Sequence, residues 1–94
     1  MILVRDTFQA KYGQGDALVA HFQAFPVELP VKFRILTDAS GTFFTVVTEY
    51  EVESLAEWER LLPTTFSDPA FPEWFAKQVQ LVESGRREFF HIIA

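Results

Sequence analysis

Between Val31 and Tyr50, large apolar side chains fall on both faces of a segment whose alternation marks a β-hairpin. A sheet that is apolar on both faces has to be covered on both. Val31, Phe33 and Ile35 point one way and Lys32, Arg34 and Leu36 the other. Ala39-Ser40-Gly41 reads as a three-residue loop, with Gly41 supplying the positive φ such a loop requires. That loop pairs Thr37 with Phe43 and Ile35 with Thr45. It places Val31, Phe33, Ile35, Phe43, Val47 and Glu49 on one face, and Lys32, Arg34, Leu36, Phe44, Val46, Thr48 and Tyr50 on the other. The whole chain has only 94 residues but carries 11 Phe, 2 Trp and 2 Tyr. A domain of this size buries about 60–65% of its unfolded surface, so the aromatic surplus calls for a second copy to cover it.

Around the hairpin the elements follow from periodicity. Residues 2–11 alternate as a strand with Ile2, Val4, Asp6, Phe8 and Ala10 on one face. Gly13-Gln14-Gly15-Asp16 is a turn into a helix from about Ala17 to Phe25, with Leu18, His21, Phe22 and Phe25 on one stripe. Pro26 and Pro30 bracket a connector. Ser54-Leu55-Ala56-Glu57 is a capping box opening a helix whose buried stripe is Leu55, Trp58, Leu61 and Leu62, and which Pro63 helps to end. Asp68-Pro69 starts a further helical turn. The helix that follows turns Phe71, Trp74, Phe75, Val79 and Val82 inward, and Ser84-Gly85 closes it. Arg86 to Ile93 is the last strand. The order is βαββαβ with an extra helical turn, an α+β ferredoxin-like domain with a four-stranded antiparallel sheet occupying residues 1–94.

Composition removes several function classes. No apolar run approaches the ~20 residues of a membrane span, and Arg5 and Asp6 interrupt any secretory core, so a cytoplasmic protein that does not engage membranes is expected. Without Cys there is no disulfide and no thiolate metal site. A net charge of −5 argues against nucleic acid as a partner. No phosphate loop, nucleophile elbow or zinc motif occurs, and neither a cofactor nor a resident metal is expected.

The strand running into Tyr12-Gly13, the segment Thr48-Glu49-Tyr50-Glu51 leading into Ser54-Leu55-Ala56-Glu57-Trp58, and the closing Ser84-Gly85-Arg86-Arg87-Glu88-Phe89 together resemble the dimeric α/β-barrel superfamily, in particular its NIPSNAP-like branch. The resemblance covers nearly the whole chain. It implies a homodimer whose two sheets pack face to face with the helices outside, and a ligand cleft between each sheet and its own helices. The superfamily includes antibiotic-biosynthesis-type monooxygenases that need no cofactor, haem-degrading enzymes and members without assigned chemistry, so fold alone does not decide function. Haem-degrading relatives carry an asparagine on the first strand, a tryptophan on the third and a histidine on the later helix. The matching positions here fall on Asp6, on Glu49 and near Trp74-Phe75, which argues against haem breakdown.

Polar residues on apolar faces give the candidate site. Asp6 lies among Ile2, Val4 and Phe8, and Glu49 among Phe33, Phe43 and Val47. With the first and third strands of this fold expected as parallel neighbours, both carboxylates enter one cleft, with His21 facing them. The catalytic reading makes Asp6 and Glu49 a general base of raised pKa and His21 its proton shuttle. The structural reading satisfies the same side chains with Tyr, Trp or backbone donors, or leaves them at wet strand ends. Trp58, Trp74 and Phe75 are candidates to stack on a planar ligand or to be plain core. Arg87 is a candidate to capture an anion at the cleft mouth or to neutralise a helix C-terminus. The functions in view are a homodimer binding a small hydrophobic or aromatic molecule, a cofactor-independent monooxygenase or isomerase acting on an aromatic or polyketide-like compound, and a structural or partner-binding module.

Overall fold

A computed structural model describes residues 1–94. The elements are β1 (Ile2–Ala10), α1 (Gly15–Gln23), β2 (Lys32–Thr37), β3 (Thr45–Val52), α2 (Leu55–Phe66), α3 (Phe71–Leu81) and β4 (Val82–His91). One four-stranded sheet has the order β2-β3-β1-β4. This is the ferredoxin-like α+β arrangement. All three pairings are antiparallel, which corrects the expectation of a parallel first and third strand. The helices cover one face of the sheet, and no helix is long and apolar enough to cross a membrane.

The hairpin register also differs from the expected one. Ile35 lies opposite Thr48 and Phe33 opposite Tyr50. The connection runs over residues 38–44, because Asp38 Oδ1 accepts from Thr45 N at 3.1 Å and Thr45 Oγ1 donates to Thr42 O at 2.8 Å. Those local bonds stabilise a longer loop in place of the three-residue turn. Phe44 adopts φ 59° there, a left-handed conformation rare for a bulky residue. Moving the register by an odd number of residues exchanges the two faces of β3 relative to β2. Phe33 and Ile35 therefore share the helix side with Val46, Thr48 and Tyr50, whereas Lys32, Arg34 and Leu36 share the open side with Val47, Glu49 and Glu51.

Three helix details depart from expectation. Pro63 lies inside α2, which continues to Phe66. The capping box forms half as expected: Ser54 Oγ accepts from Glu57 N at 3.1 Å, but the Glu57 carboxylate receives Glu53 N at 3.3 Å. Ser84-Gly85 is strand rather than helix cap, pairing with Gln9 and Phe8. A side chain at Gly85 would meet Phe8 Cδ1 at 3.0 Å, so packing, not a left-handed turn, is what requires glycine there.

The core lies in two clusters. Ile2, Val4, Val52 and Trp58 form one, and Ala10, Leu18, Phe22 and Val46 the other. Between them on β1 and β3 sit Asp6 and Thr48, both buried. Because α3 buries no residue fully, the helix layer is shallow. Leu55 and Val79, expected inside, are 50% and 57% exposed. The space between the clusters is consequently incompletely filled.

Candidate functional site

That space is a cavity of about 230 Å³ between the sheet and the helices. Asp6, Thr48, Tyr50 and Arg87 line its floor, Phe8, Phe22 and Phe33 its sides, and Trp58, Phe66, Trp74 and Phe75 the helix side. β1 places Asp6 opposite Arg87 of β4 and Thr48 of β3, so all three side chains leave the sheet on the helix side. Arg87 Nε donates to Asp6 Oδ1 at 2.6 Å and Nη2 to Oδ2 at 2.9 Å, a two-point pairing that neutralises the buried carboxylate. The Arg87 guanidinium lies 4.9 Å from the Trp58 ring centre, a cation–π contact. Hydrogen bonding to Asp6 holds the Arg87 pKa above its usual value despite partial burial.

Tyr50 adjoins this pair. Burial, reinforced by the negative charge of Asp6 and opposed by Arg87, pushes its phenol up to about 12. It remains a neutral donor throughout the physiological range. Its ring packs 4.8 Å from Phe33 and 5.4 Å from Trp58, forming an aromatic wall beside the polar floor.

Five of the seven residues singled out from sequence meet here: Asp6, Trp58, Trp74, Phe75 and Arg87. Glu49 does not. It pairs with Arg5 across the strand and projects from the open face. There it is 2% exposed, accepting from Arg5 Nε at 2.6 Å and from Arg34 Nε at 2.6 Å. Burial alone would raise its pKa, but the two guanidiniums outweigh that and hold the carboxylate below 4.5. Asp6 and Glu49 are thus no dyad, because the β1–β3 register sets Asp6 opposite Thr48 and Glu49 opposite Arg5, on opposite faces of the sheet.

His21 is also outside the cavity lining. Its ring stacks on Trp74 at 4.2 Å, and Trp74 Nε1 donates to the His21 carbonyl at 3.0 Å. Its Nε2 is buried without a hydrogen-bond partner. Burial first, then Lys77, keeps its pKa below 6.5, so it is a neutral wedge between α1 and α3. The Asp6–Arg87 pairing and the Tyr50 donor escaped the sequence reading. The alternation of β4 against β1 carries the signal for the first, once the register is known.

Solved structures match this architecture over almost their whole length. An uncharacterised NIPSNAP domain protein from Burkholderia xenovorans superposes with a TM-score of 0.88 at 17% identity, over 100% of this chain and 96% of that one. The chain has the NIPSNAP-domain fold. A NIPSNAP family protein of unknown function from Agrobacterium tumefaciens superposes with a TM-score of 0.83 at 17% identity, over 96% of this chain and 86% of that one. A protein from Chloroflexus aurantiacus, provisionally named as an antibiotic biosynthesis monooxygenase, gives a TM-score of 0.76 at 14% identity, over 99% and 93%. No protein-family model and no curated protein matches the sequence. At these identities the NIPSNAP likeness conveys architecture, while the chemistry of the cavity rests on this chain's own side chains.

Proposed function

We propose that this chain is a small-molecule-binding protein that works as a homodimer, with the sheet–helix cavity as its ligand site. The observation that carries the binding reading is the cavity itself, which combines a mostly aromatic lining with one convergent polar floor. Binding sites have that composition, whereas a purely structural core closes such gaps. Apolar cavities of about 150 Å³ take up benzene, so 230 Å³ accommodates a substituted ring or a small bicyclic molecule. Nothing in the floor favours catalysis over binding. Both Asp6 oxygens are engaged by Arg87, and neither His21 nor Glu49 reaches them.

The homodimer rests on the open face. Arg34, Glu49, Arg5 and Glu88 stand directly opposite one another across all four strands, a row of alternating charge. Leu36 and Phe90 on the same face are each 40% exposed. A second copy turned about a two-fold axis parallel to the strands reverses the row, so the exposed Arg34 at one end meets the partner's Glu88 at the other. Self-complementary charge beside apolar area suits an isologous interface.

Amide NMR during titration with 2-naphthol tests the ligand site. Shifts centred on Thr48, Tyr50 and Trp58 are expected, and shifts confined to the outer surface would overturn the reading.

A further inference from the structure

We infer that the cavity selects neutral molecules bearing a hydroxyl or amide, and discriminates against carboxylates and other anions of the same shape. This rests on the cavity being the ligand site, and it follows from the state of the polar floor. Arg87 alone would be an anion receptor. Here its Nε and Nη2 are spent on Asp6 at 2.6 and 2.9 Å, and the pair carries no net charge. An anion reaching for the remaining Nη1 enters the field of the Asp6 carboxylate, and in an aromatic cavity it surrenders its hydration without gaining a counter-charge.

A neutral hydroxyl or amide meets different terms. Each Asp6 oxygen retains a second lone pair that can accept from the ligand. Arg87 Nη1 and the Tyr50 hydroxyl, which stays protonated up to about 12, can donate to it. Donor and acceptor are thus both available on one floor, matched to a group that is itself both. The Phe33, Tyr50 and Trp58 rings then pack the apolar body of the ligand. The rest of the chain works in the same direction, since its net charge of −5 repels anions at longer range.

The test compares 2-naphthol with 2-naphthoate, molecules of nearly one shape, at neutral pH where the first is uncharged and the second ionised. Dissociation constants come from calorimetry or from quenching of tryptophan fluorescence. The expected result is that naphthol binds about tenfold tighter or more. Asp6→Asn, which releases the Arg87 charge, should invert the order. Naphthoate binding as tightly as naphthol to the unaltered protein would overturn the neutral-ligand inference and leave the cavity reading standing. Absence of binding by both up to their solubility limits would overturn the cavity reading as well. A folded Asp6→Asn variant that keeps the original order would overturn the assignment of discrimination to the Asp6–Arg87 pair. If circular dichroism shows that this variant does not fold, the preference of the unaltered protein decides the inference alone.

Discussion

Asp6 and Glu49 stand on neighbouring antiparallel strands, one residue out of register, and project from opposite faces of the sheet, because Asp6 pairs with Thr48 and Glu49 with Arg5. Each carboxylate is neutralised separately, Asp6 by Arg87 on the helix side and Glu49 by Arg5 and Arg34 on the open side. The two carboxylates do not adjoin, and each answers to its own arginines in place of the other carboxylate. Their shared apolar setting in sequence therefore reflects two ion-pair sites that hold the sheet together from both sides.

Removing the charge of Glu49 leaves Arg5 and Arg34 facing an amide on the middle strand. Charge-assisted hydrogen bonds contribute about 1.5–3 kcal/mol each, but both arginines are partly exposed and recover solvation. Glu49→Gln is expected to cost about 2 kcal/mol, a fall of roughly 10 °C in Tm for a domain of this size. Urea and thermal denaturation measure it. An unchanged midpoint would mean that solvent compensates the arginines completely.

Acid should weaken the fold in two stages. The folded pKa of His21 lies below 6.5, so folding favours its neutral form; that contribution is complete above 6.5 and is lost as pH falls through the folded value. The folded pKa of Glu49 is likewise lowered from 4.5, and its contribution is present above 4.5 and lost on further acidification. Stability from urea titrations across this range should decline first below 6.5 and again below 4.5. His21→Gln should abolish the first decline and leave the second. A variant that retains both would assign the upper stage to another group.

Element order and helix stripes are legible in the sequence because they depend on local spacing. Leu18, His21 and Phe22 show it: a helical stripe, and all three buried. Register is not local. It hinges on the seven loop residues 38–44, where the Asp38 side chain, with Thr45 at the start of β3, selects a longer connection than Gly41 alone implies. That single difference, with the sense of the β1–β3 pairing, decides which side of the sheet Glu49 occupies. Arg87 posed the converse problem: it is visible as a cation near the cleft, but its partner lies 81 residues away on β1. Only the sheet order brings the two together.

Gly85 tests how closely β4 is fitted to β1. Its missing side chain leaves room for the Phe8 ring, which lines the cavity. Gly85→Val, favourable by strand propensity alone, should instead destabilise by about 1–3 kcal/mol through overpacking. In a Phe8→Leu background the penalty should shrink, because the ring that is struck has gone. Equal penalties in both backgrounds, read from a double-mutant cycle in urea, would place the conflict elsewhere, Thr7 O at 3.4 Å being the next atom in reach.

Phe90 provides the sharpest test of assembly through the open face. It is 40% exposed and lies next to the charged row, with the Arg5 guanidinium 5.0 Å from its ring centre. In a lone chain, Phe90→Asp replaces an exposed ring with a carboxylate near Arg5, and surface changes of that kind usually move stability by no more than about 0.5 kcal/mol. In a face-to-face homodimer the same change buries a carboxylate in each half of the interface, where desolvation costs several kcal/mol per ion unless a counter-charge answers it. Arg5 is already committed to Glu49 at 2.6 Å and offers only a shared answer. Sedimentation velocity should therefore find the unaltered protein as a dimer and Phe90→Asp as a folded monomer with native circular dichroism. A variant that sediments as a dimer would move the interface to another surface, and an unaltered protein that sediments as a monomer would remove it.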